Sequence, residues 1–262
     1  MNCPICNGAM RPVFTAQVLH KYPASYECCV SCGFLRAHEP YWLDEAYSSA
    51  IAAADTGLVK RNLSLASKVA AVLYLVLGER GEGRYLDAAG GYGMLTRIMR
   101  DLGFDFYWSD KYCENLLARG FQYNNTIGPC RAVTAMEVME HLTEPAAFVD
   151  DILRSANSEI LLFSTELYAG EPPSPENWWY YTFPTGQHIG FFQRRTLEIL
   201  GNRLGLHLVS AFGLHALSRQ PLDYLRFAFA AHPYLSHLAA PLIRRRLGSR
   251  TLDDHHRIMD KL

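Results

Sequence analysis

Apolar and polar positions alternate along the chain in short runs broken by glycine turns, a pattern of strands interleaved with helices. The sharpest unit is Arg84–Asp110. It reads as an apolar strand over Arg84–Ala88, a glycine-rich turn over Ala89–Gly93 and an amphipathic helix over Met94–Leu102. A second strand, Phe104–Ser109, ends at Asp110. Downstream the pattern predicts a helix over Glu114–Arg119, then an irregular stretch, Phe121–Pro129, where a third strand is expected and none is legible. Strands over Ala132–Val138 and Glu159–Thr165 flank a helix over Ala146–Ala156. A helix over Thr196–Leu204 precedes two strands, around Leu206–Phe212 and His215–Ser218. Ahead of the central unit, Trp42–Gly57 is alanine-rich and helical with Gly57 as its stop, and Leu63–Leu77 is a helix apolar around most of its surface, hence buried. The turn Gly78–Gly83 leads into the first strand. The organisation is a unit at 1–40, a helical linker or lid at 41–83, an α/β domain at 84–220 and a helical extension at 221–262.

Composition narrows what such a chain can do. Of 262 residues, 49% are hydrophobic and 19% charged, enough apolar material for a sizeable core. The formal charge of −1 disfavours an extended phosphate partner such as nucleic acid. The N-terminus, MNCPICNG, has neither the basic nor the apolar region of a secretory signal. The longest apolar run, Val69–Leu77, is too short for an integral membrane segment. Seven cysteines without an export signal point to reduced thiols and metal binding, and so to a cytoplasmic location.

Three stretches carry candidate chemistry. Cys3-Pro-Ile-Cys6 and Cys29-Val-Ser-Cys32-Gly33 are paired knuckles that together supply four thiolates for a structural, closed zinc site. The 22 residues between them accommodate a hairpin of Val13–Leu19 with Ala24–Cys29; Cys28 breaks the two-residue spacing, and Cys113 and Cys130 read as small core or loop residues. Next, Glu137-Val-Met-Glu140-His141 places three ligand-type side chains on one face of a helical turn at a strand's carboxyl end, with His188 in a loop able to fold over that edge. Either these residues hold a divalent ion (Mg, Mn, Fe or Zn) that chelates an acceptor, or His141 or His188 acts as a general base, or their role is structural. The third stretch, Glu171–Pro184, presents Trp178, Trp179, Tyr180 and Tyr181 as an aromatic wall for a substrate, followed by Gln187 and His188. Asp55-Thr56-Gly57 with Arg61-Asn62 forms a polar cluster that either caps its helix or lies over a cofactor.

The order strand, glycine turn, helix, strand, acid, and later a strand ending in Glu-x-x-Glu-His, resembles the class I S-adenosylmethionine-dependent methyltransferases over residues 60–218. The turn reads Asp87-Ala88-Ala89-Gly90-Gly91-Tyr92-Gly93, with Ala89 where the family carries its first glycine. The resemblance implies a mostly parallel Rossmann-like sheet with a late antiparallel strand. It implies S-adenosylmethionine bound by Asp87, Ala89, Gly90, Gly91, Gly93 and Glu137, with Asp110 holding the ribose hydroxyls. The family's adenine-contacting acid has no counterpart here. A nicotinamide or flavin binder would need a third glycine where Thr96 stands. The Glu137, Glu140, His141, His188 set is similar to the metal site of small-RNA terminal 2′-O-methyltransferases and of some quinone-pathway O-methyltransferases. The pattern as a whole is similar to bacterial enzymes that methylate sugars and other small metabolites. The implied function is methylation of a hydroxylated small molecule; the alternatives are an RNA methyltransferase and a non-catalytic binding protein on the same fold. The tail's apolar positions beside Arg244–Arg246 predict helix packing or a homodimer contact, with a membrane surface as the other reading.

Overall fold

The computed structural model describes residues 2–48, 54–78, 81–124 and 126–260. Two sheets organise them. The first is antiparallel and small: β1 (Met10–Val18), β2 (Tyr22–Cys29), β3 (Leu35–Ala37) and, from far along the chain, β8 (Gly190–Phe191), in the order β1-β2-β3-β8. The predicted hairpin is β1 with β2, its register shifting between Pro12 and Phe14. The second sheet has six strands: β4 (Arg84–Ala88), β5 (Asp105–Ser109), β6 (Ala132–Met136), β7 (Ile160–Ser164), β9 (His207–Ala211) and β10 (Leu214–Ser218). Its order is β5-β4-β6-β7-β10-β9, parallel through β7, with β10 antiparallel to both β7 and β9. From β4 the chain passes to β5 on one side and later to β6 on the other. That reversal opens a crevice at the strands' carboxyl ends, where open α/β sheets bind ligands.

Successive strand residues point to opposite faces, and both faces are covered. Tyr85, Phe106, Ala132 and Leu162 pack with α2 (Leu58–Leu75), α3 (Met94–Asp101), α6 (Tyr224–Ala231) and α7 (Pro233–Leu247). Leu86, Val133, Leu161 and Phe163 pack with α4 (Pro145–Ser155), α5 (Arg194–Arg203) and the cysteine knuckles. Burial on both sides explains why these strands read as continuous apolar runs. A third cluster joins the small sheet to the aromatic loop and includes Tyr26, Trp42, Tyr180, Tyr181 and Phe191. Among the described residues, no helix is long and apolar enough to cross a membrane. The outer face of α7 exposes Tyr234, Leu238 and Leu242.

Three expected elements differ. The helix predicted over Trp42–Gly57 is observed as α1 (Leu43–Ala46), one turn long; residues 49–53 of the prediction lie outside the described residues. No helix forms over Glu114–Arg119. There the Leu116 and Leu117 amides both donate to the Tyr92 carbonyl, and the Asn115 side chain bonds both the amide and the carbonyl of Ala118. Side-chain bonds of this kind compete with the helical ladder. The illegible third strand is a single parallel bridge, Trp108 to Gln122, flanked by Trp108 N–H donating to Phe121 and Tyr123 N–H donating to Trp108.

The tail is anchored by a buried ion pair. Arg100 on α3 grips Asp254 of α8 (Thr251–Met259) through two bonds of 2.7 Å and also donates to Asp105 and to the Phe106 carbonyl. Its guanidinium lies 3.7 Å from the Phe121 ring centroid. Truncating Asp254 removes two charge-assisted bonds and leaves the buried Arg100 with Asp105 as its remaining counter-charge. Asp254→Ala is therefore expected to destabilise the fold by about 3 kcal/mol, read as a lower urea midpoint with an unchanged m-value.

Candidate functional site

The glycine turn sits at the mouth of the crevice. Asp87, at the end of β4, is buried and accepts from the hydroxyls of Thr96 (3.0 Å) and Thr134 (2.9 Å). Burial pushes its carboxyl up to about 6, while those two hydrogen bonds pull the other way. Thr96, standing where a dinucleotide binder needs glycine, is thus the residue that ties α3 to β4. A Cβ on Gly90 would lie 2.7 Å from Asp87 Oδ2 and 2.9 Å from Trp108 Cδ1, so only glycine lets the turn close over the strand. Ala89 adopts φ +52°, the left-handed conformation that its missing glycine would take freely, at a cost of about 1–2 kcal/mol.

Asp110 organises the turn from the neighbouring strand. Its Oδ2 accepts from the Gly91 amide at 2.9 Å, and its Oδ1 accepts from the amides of Tyr112 (2.7 Å) and Cys113 (2.8 Å). A carboxylate offers about four acceptor directions, so roughly one remains for a ligand hydroxyl. The expected clasp on two hydroxyls is thereby reduced, because the backbone has already taken most of the acceptor capacity.

At the end of β6 the chain bends sharply. Glu137 has φ +55°, and only Met139–His141 form a single 3₁₀ turn, so the predicted regular i, i+3, i+4 face does not form. The bend separates Glu137 from the others. The ligand atoms of Glu140, His141 and His188 lie within 4.8 Å of one another, and Glu137 is not of that group. Instead Glu137 accepts from the Ser164 hydroxyl at 2.5 Å, and its other oxygen lies 4.0 Å from Arg61. Burial and the nearby Glu140 charge push Glu137 up to about 7, against the opposing pull of Ser164 and Arg61. The Arg61 guanidinium is itself held by both oxygens of Asp55, at 3.0 and 2.6 Å.

Glu140 is fully buried, and neither carboxylate oxygen has a hydrogen-bond partner among the described residues. Such a group is costly unless a cation or donor meets it. Both imidazoles beside it are oriented from behind. His141 Nδ1 lies 3.0 Å from the Gln187 carbonyl and 3.0 Å from the Tyr47 hydroxyl, and His188 Nδ1 lies 2.7 Å from the Tyr180 carbonyl. A carbonyl only accepts, so each Nδ1 carries the proton and each Nε2 keeps its lone pair. The rings meet edge to face at 4.9 Å. Burial pulls both histidines down to about 4, so they are neutral at physiological pH. A carboxylate and two neutral imidazoles anchored at their far nitrogens form a donor set suited to a divalent metal.

The four knuckle cysteines also converge. Their sulfurs lie within 4.8 Å of one another, with Cys3–Cys32 at 3.6 Å and Cys6–Cys29 at 3.4 Å. Four thiolates about 2.3 Å from one ion stand roughly 3.8 Å apart, so the cage fits tetrahedral zinc. A hydrogen bond from the Cys32 thiol pulls Cys3 down to about 5, and Cys32 is pushed up in return. Cys28 points elsewhere, toward the Tyr168 hydroxyl at 3.6 Å.

The aromatic wall is a correction. Tyr180 and Tyr181 are buried and Trp178 packs beside them, all within the cluster shared with Tyr26 and Trp42; apolar rings that close to the small sheet are drawn into its core. Only Trp179 faces outward, at 73% exposure. Gln187 is buried too, its side-chain amide donating to the Ala46 carbonyl at 2.9 Å. Sequence reasoning missed Tyr47, Ser164 and Thr134, which contact His141, Glu137 and Asp87. None sits in a motif; their only signal is a hydroxyl next to a strand end or short helix.

The model of the methyltransferase-domain family matches residues 60–211. No curated protein sequence matches the chain. Among solved structures, it is similar to magnesium protoporphyrin IX methyltransferase from Synechocystis PCC 6803 at 13% identity and a TM-score of 0.43, over 67% of this chain and 90% of that one. It is similar to an O-methyltransferase family 2 protein from Planctomyces limnophilus DSM 3776 at 16% identity and a TM-score of 0.44, over 69% of this chain and 66% of that one. A small RNA methyltransferase aligns at 14% identity and a TM-score of 0.42, over 66% of this chain but only 27% of its own length. With more than half of its length inside that family's model, the chain belongs to the methyltransferase-domain family, as a class I S-adenosylmethionine-dependent methyltransferase.

Proposed function

We propose that the protein methylates a hydroxyl of a small, sugar-like or otherwise polyhydroxylated acceptor, oriented by a divalent cation held by Glu140, His141 and His188. The observation that carries this reading is Glu140: a fully buried carboxylate whose oxygens have no hydrogen-bond partner among the described residues, with a ligand oxygen within 4.8 Å of a ring nitrogen of each of His141 and His188. The competing reading, in which His141 or His188 removes the acceptor's proton unaided, is disfavoured by their basicity. Groups held near 4 are weak proton acceptors at neutral pH, whereas a general base works best near the operating pH.

S-adenosylmethionine, when bound, supplies an electrophilic methyl group on sulfonium. The cation, when bound, supplies Lewis-acid polarisation of an acceptor hydroxyl. What the chain contributes is position and charge. Asp110 retains one acceptor direction for a ribose hydroxyl, and Gly91 and Gly93, at φ +54° and +86°, shape the turn beneath it. Glu140 supplies negative charge, His141 and His188 supply Nε2, and Glu137, bonded to Ser164 and 4.0 Å from Arg61, has its carboxyl raised to about 7 by burial and the Glu140 charge. Tyr47, stacked on Tyr112 at 5.9 Å, flanks the site and meets His141 Nδ1 through its hydroxyl at 3.0 Å. The four thiolates of Cys3, Cys6, Cys29 and Cys32 form a closed site with no open position, so the zinc we assign there is structural.

Three outcomes test this. Paramagnetic resonance of added Mn is expected to report one bound ion in the native protein and none in Glu140→Gln, while calorimetry shows S-adenosylmethionine binding to both. Methyl transfer to a panel of vicinal diols, followed by S-adenosylhomocysteine release, is expected to stop on exhaustive chelation, return with Mn or Mg, and fall at least about 100-fold in Glu140→Gln. Activity that persists after chelation overturns the metal reading. A third test uses pH in the metal-free protein. Glu137 is raised to about 7, so its ionised form is disfavoured by folding, and the stability it contributes when protonated is lost as pH rises through 7. Glu137→Gln is accordingly expected to raise Tm at pH 8 and leave it nearly unchanged at pH 5.

A further inference from the structure

We propose that the cysteine ribbon is a positioning element for the Glu140–His141–His188 cluster, acting through the strap Gly186–Phe191 that carries His188. The inference rests on the metal reading above for its functional weight, but its structural part stands on the strap alone.

The strap is bonded along both edges. On the ribbon side, Trp42 Nε1 donates to the Gly186 carbonyl at 2.9 Å, the Gln187 side-chain amide donates to the Ala46 carbonyl at 2.9 Å, and the Ala37 amide donates to the Ile189 carbonyl at 2.9 Å. β8 then joins the small sheet by pairing with β3, Leu35 opposite Phe191 and Arg36 opposite Gly190. On the other side, the Ile189 amide donates to the Glu140 carbonyl at 2.8 Å, and the Gln187 carbonyl meets His141 Nδ1 at 3.0 Å. His188 is the one strap residue aimed at the cluster. The carbonyl that fixes its ring belongs to Tyr180, whose own ring lies 4.6 Å away and is embedded in the ribbon's core.

The link from strap to cysteines is short. β3 begins three residues after Cys32, and Phe34 accepts from the Cys29 amide at 2.8 Å. Thr196 Oγ1, at the start of α5, donates to the Cys32 carbonyl at 2.8 Å. β3 has three residues and β8 two; β3 rests on a three-residue ladder to β2, which ends at Cys29, and β8 pairs β3 at two positions. The knuckle that closes on four thiolates therefore reinforces a short ladder at the end nearest Cys29. Opening it loosens the β2–β3 end, then β8, and with them the aim of His188. Coupling of this kind is reciprocal: occupancy of the thiolate cage tightens the second site, and occupancy of the second site tightens the ribbon.

The test uses the full chain. Hydrogen exchange is measured with zinc bound and after its release by a thiol-reactive reagent, and Mn affinity is measured in parallel. Zinc release is expected to speed exchange across 186–191 by about tenfold or more, and to weaken Mn binding about 10- to 100-fold, the range for lost outer-shell support. Trp42→Phe keeps an aromatic ring at this position and leaves the zinc ligands untouched, while deleting the donor to Gly186 together with part of the buried indole. It is expected to weaken Mn binding about tenfold, with zinc content unchanged. Exchange at 186–191 that stays constant on zinc release, while Leu35–Ala37 accelerates, overturns the proposal. If zinc release exposes the whole chain, Trp42→Phe decides: strap exchange and Mn affinity both equal to the native protein's also overturn it. A native protein that binds no Mn yet shows the strap accelerating sinks the metal reading and leaves the positioning role intact.

Discussion

A carboxylate taken fully out of water is an expensive thing for a fold to keep, and Glu140 is such a group, with no hydrogen-bond partner among the described residues. Two imidazoles face it, each tied at Nδ1 to a backbone carbonyl so that Nε2 remains free. The carbonyls come from Gln187 and Tyr180, both buried, the first bonded through its side chain to the Ala46 carbonyl and the second packed among the aromatic rings of the small sheet. Glu137, next in line, is withdrawn by a backbone bend and held by Ser164. Two neighbouring acids thereby acquire different roles. One is buried without a hydrogen-bond partner among the described residues, and the other, bonded to Ser164, has its carboxyl raised to about 7 by burial and its neighbour's charge.

That arrangement explains why the chain has two sheets that share a boundary. The six-stranded sheet delivers Asp87, Asp110 and Glu140 to its carboxyl edge, as open parallel sheets do. It cannot by itself deliver a second histidine, because the segment after β7 leaves the sheet. The aromatic loop Glu171–Pro184 instead packs into the ribbon, and its continuation returns to the edge as β8 bonded to β3. Rings that look like a surface for ligands are the adhesive of this junction. Their burial fixes His188 more firmly than an exposed loop could.

The glycine turn shows the same economy. Asp110 accepts three backbone amides and holds the turn in shape before any ligand arrives, which lowers the ordering cost of binding. The residues packed against it from 112 to 118 give up the helix that their sequence suggests, because the Tyr92 carbonyl captures two of their amides. The third strand shrinks to one bridge beside the buried Phe121, because beyond Tyr123 the sequence turns polar and glycine-bounded and offers no further alternation to extend it.

Local sequence was sufficient wherever one face had to be buried or one spacing had to be met. The strands β4 to β7, the helices α3, α4 and α5, the β1–β2 hairpin and the four knuckle cysteines follow from periodicity and from Cys-x-x-Cys spacing. So does the placing of Glu140 and His141 at a strand's carboxyl end. Tertiary structure decided what no short-range pattern encodes. It turned the Trp-Tyr loop inward, excluded Glu137 from the cluster, recruited Tyr47, and brought His188 to Glu140 through a strand borrowed by the ribbon. The physical reason is that a buried face announces itself in the order of residues along one element. Which distant carbonyl will orient an imidazole depends on how whole elements pack, and many orders of residues are compatible with the same answer.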